Sequence, residues 1–275
     1  MKRTERTPTL APFCAVGLLG SAALCAVVGY GLPRLIWMLA LWFLVFFAGA
    51  LLLFALTLFV ISLLLRDPDA YSPFCAAMVK YAGGLTSALF RIRIHVSGID
   101  RLPAGTRWLL VCNHRSNHDP LVTLWVLRNH KFAFILKPSL ASALMVGPFV
   151  RKAGCLPIDR ENDREALKTI LTAAKRIKAG ELSYCIYPEG TRSGSTELLP
   201  FRNGAFKLGQ RAQSPIVVAA IRGTERVSRN FPWRATDVYM DFCADYDPET
   251  CKKLSTIELG DRSRMYIEAA CGKKA

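Results

Sequence analysis

The sequence predicts a mixed-sheet α/β domain behind an N-terminal hairpin of membrane helices. Three observations lead to that expectation. Two long apolar runs, residues 11 to 32 and 35 to 65, carry no Asp, Glu, Lys or Arg. Short runs rich in β-branched and aromatic residues follow, each four to seven residues long. Helical stretches separate those runs, and alternation of the two argues for a largely buried sheet. The expected division is 1–66 for the membrane helices and 67–275 for a cytoplasmic domain.

A helix needs about 20 apolar residues to cross the hydrocarbon of a bilayer. The first run just qualifies; the second exceeds the need and must tilt or continue past the bilayer. Pro33-Arg34 separates them as a turn. Lys2, Arg3 and Arg6 precede the first run, Arg66 follows the second, and Arg34 alone sits between. The positive-inside tendency then puts the N-terminus and everything after Arg66 in the cytoplasm, with the chain held in the cytoplasmic membrane. A cleaved signal peptide over the first run, or a hairpin dipping into one leaflet, stays open as an alternative.

Arg66-Asp67-Pro68-Asp69 marks the exit from the membrane. Residues 72 to 90 read as a helix with Phe74, Met78, Tyr81, Leu85 and Phe90 near one face. Such a helix either lies on the membrane surface or packs on the core. Strands are expected at Ile92 to Val96, Trp108 to Cys112, Phe132 to Leu136, Ser183 to Tyr187, Ile216 to Ile221 and Val238 to Phe242. The clearest helix runs from Asp163 to Lys178, capped by Asn162 with Glu165 three residues on and closed by Gly180. The segment from Asp245 onward carries no chemistry that can be read.

The roughly 210 residues after the apolar portion suffice for one domain with its own core. Hydrophobic residues make up 52% of the chain, and the net charge of +15 comes from 36 Lys and Arg against 21 Asp and Glu. That charge favours anionic partners such as a phospholipid surface. No block of basic residues interleaves with aromatics, so nucleic acid is not an expected partner. The nine cysteines include no C-x-x-C pair, which reads as reduced, buried thiols and no structural zinc site.

Chemistry concentrates in three segments. His114 follows directly on an apolar strand, and Asp119 comes five positions later at the start of a helical stretch. The carboxylate can then accept from one imidazole nitrogen while the other takes a proton, as a general base does. The alternative is that the two residues merely cap a helix. Tyr187-Pro188-Glu189-Gly190-Thr191-Arg192 leaves another strand by a tight turn, so Glu189 and Arg192 project near the same sheet edge. Arg192 can grip a phosphate, and Glu189 can hold a hydroxyl or orient Arg192; an ordinary salt-bridged loop is the plain alternative. Arg160 lies just before the Asp163 helix, where a guanidinium and free backbone amides make a phosphate pocket, unless it pairs with Asp159 or Glu161. Lys137 is a further phosphate candidate.

Together these segments resemble the lysophospholipid acyltransferase family, and within it the 1-acyl-glycerol-3-phosphate acyltransferases. The N-H-x-x-x-x-D box is Asn113 to Asp119, with Ser116 also fitting; the G-x-x-x-I-D-R box is Gly154 to Arg160; the P-E-G-T-R box is Pro188 to Arg192. The resemblance covers about residues 72 to 225. It implies that His114 is the base acting on a lysolipid hydroxyl and Asp119 its orienting partner. It also implies that Arg160 holds the acceptor's phosphate and that Glu189, Gly190, Thr191 and Arg192 shape the acceptor site. The donor is a fatty acyl thioester, on coenzyme A or acyl carrier protein, and no metal or cofactor is implied. The expected product is phosphatidic acid. The same chemistry on glycerol-3-phosphate, another lysophospholipid or a lyso-aminolipid, or a non-catalytic membrane adaptor, are the competing expectations. The family's fourth box, a proline pair around an apolar strand, keeps here only its first proline, at Pro215.

Overall fold

A computed structural model describes residues 2–8, 11–28, 32–64 and 71–272. The chain divides into two compact units, Pro8–Asp67 and Met1–Thr7 joined with Pro68–Ala275.

The smaller unit holds helices α1 (Ala11–Val28) and α2 (Leu32–Leu64), packed on each other through edge-to-face contacts of Phe13 with Phe47 and Phe54. At 1.5 Å per residue α1 is about 27 Å long and α2 about 50 Å. Among the described residues one stretch, Ile36–Thr57, is long and apolar enough to cross a membrane, whereas the apolar part of α1 falls short. Pro33-Arg34 forms no turn; it lies in the first turn of α2, where a proline's missing N–H costs nothing. The connection between the helices and the exit at Arg66 to Asp69 lie outside the described residues.

The larger unit begins with strand β1 (Lys2–Glu5), which pairs antiparallel with β2 (Ile92–Ser97). The sequence had placed residues 1–7 with the membrane helices. Glu5 explains the difference: buried at the sheet edge, it pairs with Arg3 at 2.6 Å and Arg128 at 2.7 Å. The Trp125 indole N–H adds a bond to the Arg6 carbonyl. The apolar segment therefore starts and ends at one and the same α/β unit.

After α3 (Pro73–Leu89) and β2 come β3 (Leu109–Cys112), α4 (His118–Val126), β4 (Phe132–Leu136), α5 (Pro138–Ala141), α6 (Gly147–Lys152) and β5 (Leu156–Pro157). Then follow α7 (Asp163–Lys178), β6 (Ser183–Ile186), α8 (Gly204–Ala212), β7 (Ile216–Arg222), α9 (Val227–Asn230), β8 (Thr236–Tyr246), α10 (Pro248–Lys253) and α11 (Thr256–Cys271). The strands form one sheet in the order β1-β2-β8-β7-β3-β6-β4-β5. From β7 to β5 every pair is parallel, while β8 runs against β7, so the sheet is mixed as expected.

Central β3 is buried along its whole length, as a parallel strand covered on both faces must be. Helix α3 packs on α4 rather than standing free, and Gly83 is where they come closest: a Cβ there would stand 2.8 Å from the Leu121 carbonyl. Helix α7 forms as its caps predict, with the Asn162 side chain accepting from the Glu165 N–H. What this topology does for function is simple. The carboxyl ends of five neighbouring parallel strands, where such sheets bind ligands, lie side by side.

Candidate active site

The site is assembled at the end of β3. Asn113, fully buried, exchanges two hydrogen bonds with the Ile221 backbone: its side-chain oxygen accepts at 2.7 Å and its amide donates at 2.9 Å. This extends the β3–β7 ladder by one side chain and aims the next residue, His114, out of the sheet. The His114 N–H donates to Glu189 Oε1 at 2.6 Å, and Glu189 Oε2 accepts from the Leu199 N–H at 2.8 Å. Both carboxylate oxygens are thus engaged by backbone amides.

Asp119 sits in the first turn of α4 with no exposed surface. Its Oδ2 accepts from His114 Nδ1 at 2.8 Å, from the Arg115 N–H at 2.6 Å and from the Ser116 N–H at 2.7 Å. An ionised carboxylate only accepts, so Nδ1 carries the proton and Nε2 is left as an acceptor. The five-residue spacing is used as the sequence suggested, and the two residues face each other instead of only capping the helix. One flat face of the His114 ring is covered by Tyr187, with centroids 4.2 Å apart and planes 14° from parallel. Tyr187 in turn stacks near Phe134. The imidazole is held by a hydrogen bond at one edge and a ring on one face.

Electrostatics follow from burial. Burial pushes the Glu189 carboxyl above its usual range, against the two amides that pull it down. Burial drives the Tyr187 phenol well up, with Cys185 as the next cause. His118 is held below its ordinary value by burial, although Asp119 pulls it up, and its Nδ1 lies 3.1 Å from the Ser116 hydroxyl.

The remaining candidates separate into two groups. A cavity of about 370 Å³ lies beside His114's loop, lined among others by Arg115, Ser116, Thr191, Arg192, Glu225 and Ser228. Lys137 and Arg160 do not line it; they follow β4 and β5, on the far side of β6. Burial lowers the Arg160 guanidinium, and Arg202 is the next cause, so two arginines stand near each other there. Arg160 makes no ion pair with Asp159 or Glu161 among the described residues. Gly190 is demanded by its turn. Its φ is +73°, and a Cβ would stand 2.9 Å from Arg202 Nε, so the bare backbone lets that guanidinium lie across the turn. Asn113, Arg115 and Arg202 were not singled out in the sequence. Asn113 and Arg115 belonged to a quoted box and could have been weighed, while nothing local marks Arg202.

Comparison with known proteins places the chain in a family. A family model described as Acyltransferase matches residues 93–222, a span that contains His114, Asp119, Arg160 and Glu189 to Arg192. The chain is 30% identical over 149 residues to the 1-acyl-sn-glycerol-3-phosphate acyltransferase of Bacillus subtilis, covering 53% of this chain and 72% of that protein. The chain belongs to this acyltransferase family. It is also 33% identical over 129 residues to the human 1-acyl-sn-glycerol-3-phosphate acyltransferase alpha, covering 47% of this chain and 45% of the human one. It thus spans about half the length of the mammalian relatives it matches. The crystal structure of the 1-acyl-sn-glycerophosphate acyltransferase PlsC from Thermotoga maritima has the same acyltransferase fold, with a TM-score of 0.60 at 21% identity, over 83% of this chain and 90% of that one.

Proposed function

We propose that the protein moves a fatty acyl group from an acyl thioester to the free hydroxyl of 1-acyl-sn-glycerol-3-phosphate, giving phosphatidic acid. The observation that carries this reading is the His114–Asp119 pair, with Nδ1 engaged at 2.8 Å and Nε2 left as the basic nitrogen. Nε2 takes the acceptor's hydroxyl proton as the oxygen attacks the thioester carbonyl. Asp119 stabilises the imidazolium so formed. The tetrahedral intermediate collapses, the C–S bond breaks, and the proton passes from His114 to the departing thiolate. The acceptor's own hydroxyl is the nucleophile, so no serine or cysteine is acylated, and the imidazole supplies the base without a bound metal or prosthetic group.

The names of the relatives support lysophosphatidic acid as acceptor, and the arginine pair Arg160 and Arg202, with Lys137, supplies charge for its phosphate. Glu189 and Gly190 serve that site indirectly: the first ties down the backbone of His114, the second makes room for Arg202. Apolar α2 suits a substrate whose acyl chain stays in a bilayer. Both ends of the apolar segment join the same α/β unit, which suits a hairpin that returns to the side it entered from. The basic residues Lys2, Arg3 and Arg6 make that side the cytoplasm.

The test is acyl transfer in detergent micelles from labelled oleoyl-coenzyme A or acyl carrier protein to a panel of lysolipids, comparing wild type with His114→Ala. Conversion of lysophosphatidic acid by wild type alone is the expected result. Acylation of a different lysolipid only would sink the acceptor assignment, and full activity of the variant would sink the role of His114.

A further inference from the structure

Helix α11 comes from the part of the chain whose sequence carries no readable chemistry, beyond all three boxes. It starts on a capping box. The Ser255 hydroxyl accepts from the Glu258 N–H, and the Glu258 carboxylate accepts from the Ser255 N–H. Its buried residues include Leu259, Ser263 and Ile267, and it packs on β7, β8 and α8. Beside that buried face stands Arg264, and all three of its guanidinium nitrogens are engaged. Nε donates to Glu268 Oε1 at 2.8 Å, Nη1 to the Leu199 carbonyl at 3.0 Å and Nη2 to the Leu198 carbonyl at 3.2 Å. The guanidinium also lies 5.9 Å from the centre of the Phe201 ring. An exposed ion pair one helical turn apart contributes little and uses only one edge of the group. The other edge, with two donors in a fixed fork, grips adjacent carbonyls of one loop. The single point charge of a lysine cannot make that fork.

That loop is tied to the base. The Leu199 N–H donates to Glu189 Oε2 at 2.8 Å, and Glu189 Oε1 accepts from the His114 N–H at 2.6 Å. Leu199 is thus held through its carbonyl by α11 and holds Glu189 through its N–H. Arg264, Leu199, Glu189 and His114 form one chain, each link a single hydrogen bond. The Glu189 side chain is buried, so an amide drawn away from it leaves an oxygen unpaired. The loop's far end is fixed as well. The Arg202 N–H donates to the Pro188 carbonyl at 2.8 Å, and a Cβ on Gly260 of α11 would stand 3.0 Å from Asn203 Oδ1. Residues 198–203 therefore lie between α11 and the turn that carries Glu189. We propose that Arg264 is a positioning residue for acyl transfer: by fixing the backbone of Leu198 and Leu199 it holds Glu189 where that carboxylate sets the main chain of His114. The inference rests on the acyl-transfer reading above and adds to it a residue that touches no substrate.

The experiment uses the full chain in detergent micelles, with whichever lysolipid the wild type acylates. Arg264→Gln is compared with Arg262→Gln, which removes the same charge from an exposed position of the same helix. Arg264→Gln should lower kcat about 10- to 100-fold, as a small displacement of a catalytic group does. Arg202 keeps its own tie to Pro188, so the acceptor KM should change less than about threefold. Arg262→Gln should leave both constants within about twofold of wild type, since it lies outside the chain of contacts. Arg264→Lys keeps the charge and loses the fork, so its kcat should fall between those of wild type and Arg264→Gln; it also serves if Arg264→Gln does not fold. A cycle with Glu189→Gln separates positioning from mere support of the fold. If Arg264 acts through Glu189, adding Arg264→Gln to Glu189→Gln lowers kcat by less than about a further twofold. Full multiplication of the two effects, an unchanged kcat in Arg264→Gln, or an equal loss in Arg262→Gln overturns the proposal. Hydrogen exchange at the His114 and Leu199 amides decides it independently of any acceptor. Faster exchange at both in folded Arg264→Gln, and not in Arg262→Gln, supports the positioning role even if no lysolipid is acylated and the acyl-transfer reading falls. Unchanged exchange at His114 removes it.

Discussion

Replacing Asp119 by Asn separates the orienting role of this carboxylate from its bulk. Three hydrogen bonds of 2.6 to 2.8 Å converge on one oxygen, Oδ2, while Oδ1 is buried without a partner among the described residues. In Asp119→Asn the amide oxygen can keep the Oδ2 position. Its NH2 then occupies the Oδ1 position, a donor with nothing to donate to, at about 1–3 kcal/mol. Turning the amide over is worse, because NH2 would face two backbone N–H groups and a ring N–H. Bonds to a charged acceptor are roughly twice as strong as neutral ones, so all three also weaken. The imidazolium formed during transfer loses its counter-charge, an effect of about 10⁴ in kcat where the same change is made behind a catalytic histidine in serine hydrolases. The expected outcome is therefore a folded protein with a lowered melting point and kcat reduced about 10³- to 10⁴-fold. Initial rates of acyl transfer to lysophosphatidic acid, read beside thermal unfolding of the same preparations, check it. A folded Asp119→Asn enzyme retaining kcat within tenfold of wild type would refute the reasoning, since Asp119 would then be a helix cap and no more.

Other perturbations test the rest of the site. Glu189→Gln turns one of two acceptors into a donor facing a backbone N–H, so it should cost about 1–3 kcal/mol in urea unfolding and lower kcat by displacing the His114 backbone. Gly190→Ala forces a side chain into φ +73° and against Arg202. About 1–2 kcal/mol of stability should be lost, with a raised KM for lysophosphatidic acid in steady-state assays. The pH dependence of stability should carry the mark of His118. Its folded value lies below the ordinary 6.5, so the fold prefers the neutral ring and the unfolded chain binds the proton more readily. The stabilisation is complete above pH 6.5 and is lost as pH falls toward the folded value. Melting temperature followed from pH 8 to pH 5 should therefore fall more steeply in wild type than in His118→Gln. Equal slopes would show that another group dominates.

Much of this molecule was legible because its signals are local. Helix α7 announces itself through Asn162, Glu165 and an apolar face, and β3, β4 and β7 through short apolar runs; each needs only its own residues to be recognised. The His114–Asp119 pair is equally local, since one helical turn closes a gap of five positions. Nothing local could reveal that Lys2–Glu5 adds a strand at Ile92–Ser97, because the burial of Glu5 depends on Arg128. Nor could spacing show that Glu189 spends both oxygens on the amides of His114 and Leu199, or that Asn113 pairs with Ile221. The most consequential decision belongs to the strand order. Arg192 and Arg160 are separate phosphate candidates in the sequence, and the strand order sets Arg192 after β6, next to the strand that carries the base, and Arg160 after β5, two strands further along the sheet. Residue types and short spacings are written in the chain itself. Which distant residues share a crevice is decided only when parallel strands choose their neighbours, and that choice depends on the burial of the whole sheet.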